Sequence, residues 1–215
     1  MRPIPNPTRS TATAGLCVAV LAAPLPASAF TVNITAANPK AIYLQVGVGT
    51  FTGGNYRSGG TPGGNATVNT VSVTVPANAI GSGVAQTMTT NSTAANSFYD
   101  GYAFCNAPAQ LYIGGFYRNT TNTGAATLTA ASPANLASPA GDTIPFTQIR
   151  WTSSGNGDTG AQPFPAGTFV GGTQTIGTIT RNQWAESCHT FSYLNSNFVA
   201  AGTYTGRVTY TLSSP

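Results

Sequence analysis

A period of two governs the end of the chain, where Tyr204, Gly206, Val208, Tyr210 and Leu212 alternate with threonines and Arg207. Successive side chains of an extended strand point to opposite faces, so this stretch reads as a half-buried strand with one apolar, aromatic face. Upstream, residues 184–194 form a second extended segment, with Phe191, Tyr193 and the Cys188 sulfur expected on one face. Turn-forming residues fill 195–202 between them. The simplest expectation is an antiparallel hairpin that closes a sheet.

The same grammar recurs along the chain. Residues 30–35 begin with a short alternation, and Ile42, Leu44, Val46 and Val48 then fall on one face of a strand. That stripe reads either as the first strand of the domain's own sheet or as a strand inserted into another subunit. Residues 52–67 hold Gly53-Gly54, Gly59-Gly60 and Pro62-Gly63-Gly64, a composition of mobile loops and linkers. No Gly-Lys-Ser/Thr follows, so the run is not a phosphate cradle. Val68, Val71, Val73 and Val75 predict a strand ending at Pro76. Further strands are expected over 84–90, 97–105, 110–117, 125–130, 147–152, 167–170 and 174–180. No amphipathic helix of convincing length is present, and the Pro and Gly around 94–96 and 132–140 favour loops. Many short β-branched and aromatic runs with almost no Glu or Lys predict an all-β, antiparallel, immunoglobulin-like sandwich.

The start of the chain has a different logic. Arg2 and Arg9 precede an apolar run from Ala14 to Leu25 and an Ala27-Ser28-Ala29 site, the pattern of a secretory signal over 1–29 cut before Phe30. The run is shorter than the ~20 residues a spanning helix needs, so no membrane span is expected. The domain reading is therefore the signal, an N-terminal extension over 30–49, a Gly-rich loop or linker over 50–67, and the sandwich over 68–215. Removing the signal leaves six basic residues (8 − 2) against four acidic ones, a net charge of about +2 that argues against a nucleic-acid partner.

Cleavage also removes Cys17 and leaves Cys105 and Cys188, which in an exported chain read as one disulfide. Zinc needs four ligands, and beyond these cysteines there is only His189, so no metal or cofactor is expected. Asn156 and Asp158 are too few to hold calcium. Trp151 and Trp184 are expected in or near the core. Catalysis has little to draw on: Asp100, Asp142, Asp158 and Glu186 are the only carboxylates, and Asp142 and Asp158 have the look of turn residues. Glu186 with His189 is the one pair worth testing, and no Gly-x-Ser-x-Gly elbow is present. No catalytic residue is assigned, and the chain is not expected to be an enzyme. Tyr43, Tyr56, Tyr99, Tyr102, Tyr112 and Tyr117 could stack on sugars in a monomeric carbohydrate- or surface-binding module, although most alternate within strands as core residues do.

The C-terminal run Ala201-Gly202-Thr203-Tyr204-Thr205-Gly206-Arg207-Val208-Thr209-Tyr210-Thr211-Leu212 resembles the closing strand of the spore coat protein U-like subunits of archaic chaperone–usher pili. Gly141-Asp142-Thr143-Ile144-Pro145-Phe146 is similar to a Gly-rich, Ile-Pro-aromatic turn of such domains. The resemblance implies a sandwich lacking one strand, whose groove is filled by the N-terminal extension of the next subunit. It implies donor residues Ile42, Leu44, Val46 and Val48, or the earlier Val32 and Ile34, and an acceptor groove lined by Tyr204, Val208, Tyr210 and Leu212. The implied partners are identical subunits, a periplasmic chaperone and an outer-membrane usher. The implied product is a surface fibre for adhesion or biofilm formation. Two features depart from the family: the cysteine usual near the mature N-terminus is absent, and the Gly-rich insertion is long.

Overall fold

A computed structural model describes residues 31–121, 124–155 and 160–215. The expected signal over 1–29 and the residues Asn156 and Asp158 lie outside the described residues. In chain order the first strands are β1 (Thr31–Asn33), β2 (Ala41–Val46), β3 (Phe51–Thr52), β4 (Thr61–Pro62), β5 (Val71–Ser72), β6 (Gln86–Thr87), β7 (Thr89–Thr90) and β8 (Leu111–Arg118). They are followed by β9 (Ala125–Ala131), β10 (Asn135–Ala137), β11 (Thr143–Pro145), β12 (Ile149–Ser154), β13 (Gly167–Thr168), β14 (Thr173–Thr180), β15 (Gln183–Tyr193) and β16 (Thr209–Ser213). The main sheet runs β13-β12-β15-β8-β2, and a second, facing sheet runs β14-β9-β16. The protein is an all-β antiparallel sandwich.

β15 is the axis of the main sheet. Its first half pairs with β8 and β1, its second half with β12 and β6. Odd-numbered Ala185, Phe191 and Tyr193 join Ile113, Leu128, Ile144 and Trp151 in the core between the sheets. Even-numbered Trp184, Glu186 and Cys188 point the other way, and they too are buried. A covering layer from the segment between β2 and β8 packs on that outer face, with Ala94, Phe104 and Cys105 gathered around Tyr112 and Cys188. A strand covered on both faces loses the simple apolar-polar alternation, and Leu111-Tyr112-Ile113-Gly114-Gly115-Phe116-Tyr117 in β8 is buried throughout.

The expected C-terminal hairpin does not form. β16 pairs with β9 in the second sheet, Tyr210 opposite Ala130 and Leu212 opposite Leu128. The physical reason is that neighbours flank β15 along its length, so the chain after it must cross to the other sheet. Asn195, in the left-handed region at φ 55, anchors this crossing. Its amide donates to Ala79 O (2.7 Å) and Ser82 Oγ (3.0 Å), and its Oδ1 accepts from Gly81 N (3.0 Å). Cys188 also departs from expectation: an odd spacing from Phe191 and Tyr193 places it on the opposite face.

Three more expectations need correcting. The Gly-rich stretch is not a spacer, because β3 and β4 pair as a small hairpin and Tyr56 N donates to Phe98 O at 3.0 Å. Residues 97–105 are turns rather than a strand, since Ser97 Oγ accepts from Tyr99 N and Asp100 N, and Gly101 sits at φ +82. Of the valine run from 68 to 75, only Val71–Ser72 is paired, against Thr89–Thr90.

Candidate functional site

Two parts of the molecule carry unusual features, and the first is the seam where the two sheets meet. Among the described residues β2 pairs only with β8 and β16 only with β9, and these two edge strands lie against each other. Leu44 and Val46 of β2 and Val208 and Tyr210 beside or in β16 are half-buried at the margin of the core. Leu212 is buried, Tyr204 is half-buried and Ile42 is 44% exposed. Val71, Val73 and Val75 also pack on the core margin, and Asn69 Nδ2 donates to Val46 O at 2.9 Å. The seam is thus an apolar line beneath two strand edges.

The expected donor stripe is differently disposed. β2 is fixed in its own chain's sheet by six residue pairs, from Ala41 opposite Arg118 to Val46 opposite Ile113. The stripe also breaks at Gly47, whose φ of +69 turns the chain so that Val48 leaves the strand and lines a cavity beside Phe51. The alternative donor residues Val32 and Ile34 lie in or beside β1. That strand is held by three pairs to β15 and by one bond from Ile34 N to Asn182 O.

The second feature is the covered face of β15. Trp184, fully buried, is ringed by Tyr43, Phe51, Tyr56, Tyr99 and Phe116 with centroids 5.1–6.3 Å away. The Arg118 guanidinium lies 5.9 Å over Tyr56 and 6.0 Å over Phe116. Beneath this layer Glu186 Oε2 accepts from the Tyr112 hydroxyl at 2.5 Å and from the Trp184 indole N–H at 2.9 Å. Burial raises the Glu186 pKa, and the Tyr112 and Ser97 hydroxyls and the Trp184 N–H pull it back down. Gly114 stands opposite Glu186, and a Cβ there would meet the Tyr112 hydroxyl oxygen at 2.2 Å. Glycine therefore makes the Tyr112–Glu186 contact possible.

His189 is buried on the other face, stacked on Trp151 at 5.8 Å. Its Nε2 lies 3.0 Å from the Phe164 carbonyl, which can only accept, so that nitrogen carries the proton. Burial pulls its pKa down to about 4, against the Phe164 bond, which raises it. Glu186 and His189 are three positions apart in one strand and point to opposite faces, so the pair does not meet. Ser187 Oγ accepts from Phe164 N at 3.3 Å. Among the described residues no three of His, Cys, Asp and Glu gather as metal ligands.

The cysteines do meet, as expected: Cys105–Cys188 is a disulfide with Cα atoms 5.5 Å apart. It ties the covering layer to β15 rather than one sheet to the other. Of the six tyrosines, Tyr112 and Tyr117 are fully buried, Tyr43, Tyr56 and Tyr99 are half-buried, and Tyr102 is exposed. The covering layer was not anticipated. Its one signal is the density of aromatics, Phe98, Tyr99, Tyr102 and Phe104, in a stretch rich in turns. A cavity of about 400 Å³ opens between the β3–β4 hairpin and residues 93–98. No protein-family model, curated protein or solved structure matches the chain.

Proposed function

We propose that the chain is the structural subunit of an extracellular fibre, assembled by adding a strand from one copy to the seam of the next. The observation that carries this reading is the pair of adjacent strand edges, β2 and β16, above a line of half-buried aliphatic and aromatic side chains. An added strand would satisfy unpaired backbone groups and cover Ile42, Leu44, Val46, Val208 and Tyr210 together. The acceptor groove then includes β2 as well as Tyr204, Val208, Tyr210 and Leu212. The donor is the segment bearing Val32 and Ile34, because β1 is held by three residue pairs whereas β2 is held by six. Head-to-tail repetition of this contact does not close on itself and gives a filament serving adhesion or biofilm formation. Export through the periplasm, with a chaperone covering the seam before an usher hands subunits on, belongs to the same reading.

The test is electron microscopy and SDS resistance of the secreted material from wild type, Ile42→Lys and Val32→Asp. Fibres from wild type that both variants lose, while each is still secreted as a folded monomer, are the expected result. Monomers from wild type, or fibres that survive both substitutions, would refute it.

A further inference from the structure

We infer that the cavity between the β3–β4 hairpin and residues 93–98 binds a neutral saccharide. Its volume of about 400 Å³ falls within the ~300–1,000 Å³ range of small-molecule sites, and it suits one or two sugar rings. The wall is amphipathic in the way a pyranose is. Phe51 and Phe98, tilted by 35° with centroids 5.8 Å apart, present apolar ring surface for the C–H face of a sugar. Asn96 and Thr93 supply amide and hydroxyl groups, donors and acceptors both, for its hydroxyls, beside Asn55, whose Oδ1 already accepts from Ser58 N at 2.9 Å.

Among the described residues no charged side chain lines this wall. A phosphate, carboxylate or ammonium ligand would lose water there without gaining a counter-charge, so charged ligands are disfavoured.

The wall is also built before any ligand arrives. Phe104 N and Cys105 N both donate to Ala95 O at 2.9 Å, and Ser97 N donates to Tyr102 O at 2.8 Å. The Cys105–Cys188 bridge then fastens this turn to β15. Binding therefore need not order a loop, a cost that weakens flexible sites. The inference is independent of fibre assembly and applies to a single subunit.

The experiment uses the secreted, disulfide-bonded protein, whether recovered as fibre or as monomer, on a glycan array carrying neutral, sialylated and sulfated glycans. Hits are followed by saturation-transfer-difference NMR on the free sugars. Thr93→Trp places bulk in the cavity, and Asn96→Ala removes one rim amide without touching the apolar floor. Disulfide formation and near-UV circular dichroism check that each variant is folded. Expected are binding to one or more neutral glycans, its loss in Thr93→Trp, and weakening by about tenfold in Asn96→Ala, the effect of one hydrogen bond. Binding to none of the neutral glycans, preference for acidic ones, or equal binding by wild type and a folded variant would each overturn the inference.

Discussion

Acidification should destabilise this protein through a single side chain, His189. His189 is the chain's one histidine, fully buried and held neutral, with its pKa lowered from 6.5 to about 4. In the unfolded chain the imidazole takes a proton near pH 6.5, and in the fold it does so only near 4. Between those values the unfolded state binds more protons, so stability is full above pH 6.5 and is lost as pH falls towards 4. The difference between 6.5 and about 4 corresponds to about 3 kcal/mol, a sizeable share of the ~5–15 kcal/mol that holds a domain together. Urea unfolding midpoints at a series of pH values, for wild type and His189→Phe, isolate the effect. The phenylalanine keeps the stack on Trp151 but cannot titrate. It removes one of the two donors to the Phe164 carbonyl, which still accepts from Ser153 Oγ at 2.6 Å, so the substitution costs about 0.5–1.5 kcal/mol at neutral pH. Wild type should lose stability steeply between pH 6.5 and 4, and the variant should follow a flatter line. Parallel curves would refute the reasoning, because the slope would then come from the carboxylates.

Glu186 runs the opposite way. Its raised pKa means that its contribution is full below the ordinary value of 4.5 and is lost as pH rises from there through the folded value, so Glu186→Gln should remove a loss of stability that begins just above pH 4.5. Gly114→Ala should push the Tyr112 hydroxyl off Glu186 and lower stability by about 1–3 kcal/mol, read by urea titration; an unchanged midpoint would mean that Tyr112 is free to move. Replacing Cys188 with Ala removes a bridge spanning 83 residues, for which chain entropy gives about 4–5 kcal/mol, and the urea midpoint should fall accordingly. In that variant the fluorescence of Trp184, buried under the covering layer, should also shift to longer wavelength.

The sandwich was legible because its evidence is local. Alternation in β9, β14 and β16 survives burial on one face, as Ala126, Leu128 and Ala130 are buried between half-exposed neighbours. The centre of the main sheet was harder to read. In β15, Trp184, Glu186 and Cys188 are as buried as Ala185 and His189, so periodicity says nothing about which face each occupies. Counting parity from Phe191 would have separated Cys188 from the main core and Glu186 from His189. What the sequence could not supply was the pairing of distant segments. Whether β16 returns to β15 or crosses to β9 depends on which edges are already occupied, and that is decided by residues about 60 to 180 positions away. The cavity is hidden for the same reason, since its walls come from the glycine-rich hairpin and from residues 93–98, which read as a loop running into an unrelated strand.

The covering layer also links the fold to where it can form. Its Phe51, Tyr56 and Tyr99, together with Tyr43 of β2 and Phe116 of β8, shield Trp184, yet its backbone is largely turns with few ladder bonds of its own. Such a segment cannot bury its aromatics except against the outer face of β8 and β15. The disulfide restricts it to that face at Cys188, near the middle of the longest strand, and so fixes the position of the cavity wall as well. With the cysteines reduced, release of the layer would expose Tyr112, Phe116 and Trp184 together, a continuous apolar surface of the kind that drives aggregation. The two halves of the molecule therefore depend differently on oxidation. The sandwich core needs only its own side chains, whereas the covered face, with its buried carboxyl and its cavity, is complete only once the bridge has formed.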